Sequence, residues 1–230
     1  MKATLQIALA LLLLLANCPA QVVVDRMAAV VNKRVILESE LDQAARVEYL
    51  IQGKALTGGN PSRPELLAVL EQLIDRSLLE QQIAHPEMVA PEPEEMAARL
   101  REVREHIPGA NDGQRWKALL AAYGVTQQDV EEHLASEFRV LRLVDLRFRG
   151  LVRVDKSAIA GYYQDQFVPE LKGRGATPPP LEEVSDKIEK ILAEQRVNDM
   201  LNEWLQALRT QAHIERMMPG ATTPSAGAHP

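Results

Sequence analysis

The fold is decided by the stretch Met27-Ala28-Ala29-Val30-Val31-Asn32-Lys33-Arg34-Val35-Ile36-Leu37-Glu38-Ser39-Glu40-Leu41. Its two apolar, β-branched runs, Met27–Val31 and Val35–Leu37, are typical of strands, and Val22–Val24 carries the same signal upstream. Asn32-Lys33 predicts a tight turn between the two runs, although it lacks the glycine that makes this signal strong. The apolar residues then recur at helical spacing, so we expect the strand pair to run directly into a helix over Glu38–Leu50.

Downstream, proline and glycine separate segments whose apolar residues follow a helical period. The predicted helices are Leu66–Ile83, Pro93–Ile107, Trp116–Tyr123, Gln127–Phe148 and Leu181–Gln211. Gly124 is expected to close one helix, and Thr126 with Asp129 is expected to cap the next.

The C-terminal third is predicted to hold three kinds of segment. Asp155 is expected to cap a short helix that ends near Phe167, and residues 168–180 form a Gly/Pro-rich linker. In Leu181–Gln211 the apolar residues are expected to lie mostly on one side, with Trp204 and Leu208 packing against the N-terminal strands and the helix Leu66–Ile83. Ala212–Met217 predicts a terminal strand. Residues 218–230 are predicted to be a disordered tail.

Composition limits the class of protein. The 230 residues are 46% apolar and 25% charged, which is ordinary for a globular protein. Only two Trp, four Tyr and three Phe are present, so the core must be mainly aliphatic. A net charge of −6 argues against nucleic acid as a partner. A single cysteine excludes an intramolecular disulfide framework and a cysteine-rich zinc site.

Residues 1–20 are predicted to be a signal peptide. Lys2 supplies positive charge, Ile7–Ala16 is an apolar run too short to span a bilayer, and Cys18-Pro19-Ala20 is a plausible cleavage site. The alternative is lipidation of Cys18, but Asn17 stands where a small residue is expected. We therefore favour a soluble exported form, and we expect no stable membrane span in the mature chain.

Several stretches resemble the SurA family of periplasmic folding factors. Val23–Leu41 resembles the opening strands, turn and helix of that family, and Leu73–Gln81 is similar to its second helix. Tyr123–Val130 is similar to the turn before its long helix, and Glu182–Glu215 resembles its closing helix and strand. The resemblance implies a mainly α, trigger-factor-like chaperone module over residues 21–217, with a small β-sheet made by the N-terminal strands and a C-terminal strand.

The departure from that family lies between Phe167 and Leu181. The family's exit helix, which Val154–Tyr163 resembles, leads in two-module relatives into a parvulin-type prolyl isomerase domain. Here the 13 residues Val168–Pro180 occupy that place, whereas an independent domain needs about 50 residues or more. We therefore expect no isomerase domain and no enzyme activity.

The sequence gives no support for a metal site, a catalytic site or a nucleotide-binding site. The five histidines lack metal-ligand spacing and are expected at the surface or rim, and Glu131-Glu132-His133 is better explained as a solvated helix face than as a catalytic site. No nucleotide-binding motif occurs, and no cofactor is predicted. The arginines between Arg139 and Arg153 form either a solvated face or a contact strip for client segments.

The expected function is ATP-free binding of unfolded client polypeptides, envelope or outer-membrane proteins, in an apolar helical cradle. The candidate contacts, each of which could instead fill the core, are Met88, Met96, Leu100, Trp116, Leu120, Tyr123, Phe138, Arg142 and Arg149. We expect a monomer or weak dimer. Two alternatives stay open: a prolyl isomerase of the same superfamily with an unrecognised site, and a dedicated partner or assembly subunit, lipid-anchored through Cys18.

Overall fold

The computed structural model describes residues 25–56 and 59–219. The predicted signal peptide with Cys18, the strand signal at Val22–Val24 and the tail beyond Pro219 lie outside the described residues.

Three strands form an antiparallel sheet that joins the two ends of the described chain. Strands β1 (Met27–Val31), β2 (Arg34–Leu37) and β3 (Ile214–Arg216) lie in the order β2-β1-β3, with Val31 opposite both Arg34 and Ile214. Asn32 makes the predicted turn with φ +57°, a left-handed conformation that asparagine tolerates better than most residues. Its side chain accepts a hydrogen bond from the His213 N–H at 2.9 Å, so the turn is tied to β3.

Helices make up most of the rest of the described chain, which confirms the mainly α fold class. They are α1 (Glu38–Ile51), α2 (Arg63–Glu80), α3 (Pro86–Val89), α4 (Pro93–His106), α5 (Gly113–Tyr123), α6 (Gln127–Phe148), α7 (Lys156–Tyr162), α8 (Val168–Gly173) and α9 (Leu181–Gln211), with a 3-10 turn at Arg149–Leu151 and a π turn at Tyr163–Phe167. The short helices α3 and α8 are absent from the sequence-based prediction. None of these helices is long and apolar enough to cross a membrane.

The predicted ends of α5 and α6 are confirmed. Gly124 ends α5 with φ +66°, a conformation that costs glycine little because it has no Cβ. The Thr126 N–H donates to the Asp129 carboxylate at 2.7 Å, and the Asp129 N–H donates to the Thr126 hydroxyl at 3.1 Å. Asp155 occupies the N-cap position of α7, as expected, but its side chain makes no capping hydrogen bond.

The segment predicted as a linker begins as helix. After α7 the chain passes through the π turn into α8, and non-helical chain starts only at Arg174. The linker was predicted partly because Pro169 should end a helix, since proline removes a hydrogen-bond donor and crowds the preceding turn of an α-helix. The wide turn before it, in which the Val168 N–H bonds to the Tyr163 carbonyl, lets the helix continue past this obstacle.

The buried apolar side chains form four clusters along the chain. The first joins the sheet to α1 and α2 through Ile36, Leu41, Leu70, Ile74 and Leu78, and Leu205, Leu208 and Ile214 pack against it. The second holds Trp116, Leu120, Val130 and Leu134 between α1, α4, α5 and α6. The third joins Val144 and Phe148 to Val197 on α9, and the fourth joins Ile159 to Val184 and Ile188.

Helix α9 uses two sides, not the single side that the sequence suggested. Ile188 packs in the fourth cluster and Val197 in the third. Nine residues at ~100° each place them on opposite sides of the helix. Trp204 does not reach the strands or α2: its ring meets Phe148 edge to face at 5.6 Å, and the Arg147 guanidinium lies 4.2 Å from the Trp204 ring centre. Leu208 does pack on the first cluster, as expected.

Candidate functional site

An open groove of about 430 Å³ runs between α2 and α6, and we call it the α2–α6 groove. Leu79 is buried at its floor, Val140 is half-buried, and Leu141 at its rim is 62% exposed. The remaining lining residues are polar: Gln72, Asp75, Arg76 and Glu137. The groove therefore offers apolar contact area inside a charged border.

Helical spacing explains why these side chains meet. On α2, Gln72, Arg76 and Leu79 are three or four residues apart, so they share a face that is turned away from the buried Leu70, Ile74 and Leu78. On α6, Glu137, Val140 and Leu141 have the same spacing. The sheet and α1 hold α2 through the first cluster, so the floor of the groove rests on the core.

A polar cleft of about 260 Å³ lies between β2, α1, α2 and α6, and Arg76 also lines it. Two of its arginines are paired within the protein. Arg34 bonds Glu40 at 2.6 Å, and Arg139 bonds Glu80 at 3.0 Å. The Ser136 hydroxyl also donates to Glu80 at 2.7 Å, so this carboxylate has two partners from α6.

His133 lies beside Arg76 where the polar cleft approaches a smaller opening between α1 and α6. Its side chain is only 11% exposed and lines both openings, so of the two expected positions, surface or rim, it occupies the rim, on the side of α6 that faces α1 and α2. Nε2 is 3.3 Å from the Glu137 carboxylate. The hydrogen bond from His133, helped by the charges of Arg76 and Arg99, lowers the pKa of Glu137 despite its burial.

The side chains predicted to contact clients do not converge on one surface. Trp116 and Leu120 are buried in the second cluster, with Met96, Leu100 and Tyr123 packed against it. The Tyr123 hydroxyl donates to the Lys54 carbonyl at 2.7 Å. Met88 on α3 is 59% exposed, and Phe138 is half-buried. A buried side chain cannot meet a client without rearrangement, so Trp116 and Leu120 are structural in this conformation.

The arginines of the predicted contact strip all have partners within the protein. Arg142 donates to the Ala90 carbonyl and to Glu95, which holds the loop after α3 on α6. Arg149 bonds Asp145 at 2.9 Å and Glu194 at 3.0 Å. Arg139 bonds Glu80, Arg147 stacks on Trp204, and Arg153 donates to the Val152 carbonyl at 2.9 Å. Apart from Arg153, whose contacts are local, these arginines join different parts of the protein to one another.

Sequence reasoning missed the groove because its residues come from two helices far apart in sequence. In the sequence, Leu79 and Leu141 each fit the apolar stripe of an ordinary amphipathic helix. The available signal was that α6 carries more large apolar residues than one buried stripe requires, with Leu141 and Leu146 left exposed. Among the described residues, no group of three or more His, Cys, Asp or Glu is placed to hold a metal ion.

A family comparison covers the N-terminal strands and helices of this arrangement. The family model of the SurA-like N-terminal domain matches residues 4–144, more than half of the chain. The chain belongs to the SurA-like N-terminal domain family. The matched region contains β1, β2, α1, α2 and most of α6, and therefore every residue of the α2–α6 groove. No curated protein matches this chain.

Proposed function

We propose that this SurA-like protein is an exported, ATP-independent chaperone that holds apolar segments of unfolded envelope or outer-membrane proteins in the α2–α6 groove. The observation that carries the proposal is the open, apolar-floored groove within the region that defines the family. An exposed leucine at the rim of a concave surface is available to a client without any internal rearrangement.

The size of the groove supports weak, reversible binding. A volume of about 430 Å³ lies near the lower end of the range for small-ligand sites, so the groove accepts a few side chains of a client and leaves the rest in solvent. Met88 on α3, with its adaptable thioether side chain, offers a second apolar contact. Burial of apolar surface is favourable by itself, so this mechanism requires no nucleotide.

The proposed location is the periplasm, and it rests on the signal-like residues 1–20 together with the family. A monomer or weak dimer suits a protein whose groove must stay open to clients. The dedicated-partner alternative differs in one measurable respect, because a dedicated subunit would bind one folded protein tightly and would not slow the aggregation of unrelated unfolded chains.

Leu141→Ser is expected to weaken the suppression of client aggregation. The substitution removes the apolar rim of the groove, and partial burial of one leucine is worth about 1 kcal/mol, or roughly fivefold in affinity for a client segment. Light scattering of an unfolded β-rich protein, measured against chaperone concentration without nucleotide, tests this expectation.

Leu146→Ser is the matched control, because Leu146 lies on the same helix and is 61% exposed, but it is not part of the groove. This variant should suppress aggregation like the wild type. Equal loss in both variants would point to general surface apolarity and against the groove. If the wild type fails to slow aggregation at several-fold molar excess while it binds one protein tightly, the dedicated-partner function replaces this proposal.

We also propose that the protein does not catalyse prolyl isomerisation. The chain between the π turn and α9 consists of α8 and residues 174–180, and a site that desolvates an X-Pro bond requires an enclosed apolar pocket. A proline-containing test peptide should isomerise in its presence at the uncatalysed rate, over tens to hundreds of seconds. A clear acceleration that scales with the concentration of pure protein would contradict this prediction.

A further inference from the structure

Arg76 is the residue that the openings around α2 and α6 have in common. It lines the α2–α6 groove, the polar cleft and the smaller opening between α1 and α6. It lies three residues before Leu79 on α2, so its guanidinium is beside the apolar floor of the groove. A chain bound in the groove would therefore pass within reach of it.

The N–H groups of Arg76 have no hydrogen-bond partner among the residues that the structure describes. Within residues 25–56 and 59–219 the Arg76 guanidinium makes no hydrogen bond or ion pair, whereas Arg34 and Arg139 in the same cleft bond Glu40 and Glu80. In that part of the chain, every fully buried side-chain nitrogen or oxygen has a hydrogen-bond partner. The unpartnered donors of Arg76 therefore reach the surface of the openings that it lines.

The surrounding charges decide which ligand suits these donors. In the polar cleft four carboxylates, Glu40, Glu80, Asp129 and Glu132, outnumber the three guanidiniums. The groove adds Glu137, and also Asp75, whose charge is balanced by its ion pair with Arg209. An anionic ligand would meet net repulsion there. A neutral carbonyl oxygen accepts a hydrogen bond from a guanidinium without adding a negative charge.

We propose that Arg76 binds main-chain carbonyl groups of a client segment whose apolar side chains rest on Leu79 and Leu141; this inference rests on the function proposed above. In an extended segment successive side chains point to opposite sides, so one apolar residue on the floor of the groove leaves its neighbouring carbonyls at the groove wall. Every polypeptide carries these carbonyls, so the contact strengthens binding regardless of sequence. The apolar floor then favours segments with apolar side chains, and Arg76 strengthens binding of any such segment through its main-chain carbonyls.

Two fluorescent peptides of equal length test the proposal, one with uncharged apolar side chains and one with two of those side chains replaced by aspartate. Arg76→Met should weaken binding of both peptides by about tenfold, the scale of a lost hydrogen bond to a charged group. Fluorescence anisotropy gives the dissociation constants. Arg101→Met is the matched control, because it removes the same charge from an exposed position on α4 outside the three openings. It should leave both constants unchanged.

The melting temperature of Arg76→Met should lie only slightly below that of the wild type, since the substitution breaks no hydrogen bond or ion pair among the described residues and removes only the favourable charge of Arg76 near Glu137. Wild-type affinity of Arg76→Met for both peptides, together with weakened binding by Leu141→Ser, would overturn this inference and leave the proposed function standing. A loss confined to the aspartate peptide would show that Arg76 binds side-chain carboxylates, which also overturns it. If the wild type binds neither peptide, the proposed function fails and this inference fails with it.

Discussion

A chain that ends at Pro180 is expected to lose its cooperative thermal unfolding transition. The truncation removes β3 from the sheet and takes Leu205, Leu208 and Ile214 from the surface of the first cluster. It also exposes Phe148, whose ring is covered by Trp204. These contacts are worth several kcal/mol together, which is comparable to the whole net stability of a small domain.

Circular dichroism during heating, compared with the full chain, tests the truncation. A chain that ends at Pro219 is the control, since it keeps α9 and β3, and it should melt like the full chain. If the chain ending at Pro180 keeps a cooperative transition near the full-length temperature, the two ends of the chain do not form one cooperative unit. In that case α9 and β3 would be an addition to a domain that is complete without them.

Glu71→Gln is expected to reduce the free energy of unfolding by about 2 kcal/mol. The Glu71 carboxylate on α2 accepts from Arg216 of β3 at 2.7 and 3.0 Å and from Arg209 of α9 at 3.0 Å. The Arg216 side chain is only 4% exposed, so the substitution leaves a buried guanidinium without its counter-ion. We place the effect below the usual range for buried pairs because the Glu71 side chain is 39% exposed.

Urea unfolding at neutral pH measures this loss. Glu203→Gln is the matched control, since it removes an exposed carboxylate of α9 that lies outside the ion pairs of the described residues, and it should change stability by less than about 0.5 kcal/mol. An equal, small effect of both substitutions would show that the Glu71 ion pairs do not hold the chain ends together.

The contribution of Glu71 should also depend on pH. The hydrogen bond from Arg216, together with that from Arg209, lowers the pKa of Glu71 below its ordinary 4.5, although burial acts in the opposite direction. The ionised carboxylate therefore contributes its full stability above the pKa of the unfolded chain, and this contribution is lost as the pH falls through the lower folded-state value. The stability difference between wild type and Glu71→Gln should shrink at acid pH, and a constant difference would contradict the linkage.

Local patterns predicted most of the elements because their physical causes are local. The ends of α6 at Gln127 and Phe148, and those of α9 at Leu181 and Gln211, agree with the sequence-based expectation. The Thr126 cap and the left-handed Gly124 depend on hydrogen bonds and steric freedom within a few residues, so sequence alone is sufficient. The pairing of β1 with β3 was predicted as well, through the family resemblance.

The candidate site was predicted less well, because exposure is not a local property. Trp116 and Tyr123 have the amphipathic character of a binding surface, yet Trp116 is buried between helices that the sequence does not place beside it. In the sequence, Arg142 and Arg149 look like part of a basic strip. In the structure they bond Glu95 and Glu194, and each of these carboxylates lies more than 40 residues away along the chain. An aromatic or arginine side chain can bind a client or stabilise the fold, and which of the two it does depends on the residues that surround it.

The sequence by itself determined the longer helices, the strand pair and the apolar residues that must leave water, since period, caps and side-chain type act over one or two turns of the chain. Only the tertiary structure decided that α9 buries opposite sides along its length, that Leu141 stays exposed beside Leu79, and that Arg76 is left without a partner among the described residues. These features depend on how α2, α6 and α9 cross, and packing between distant segments sets that geometry.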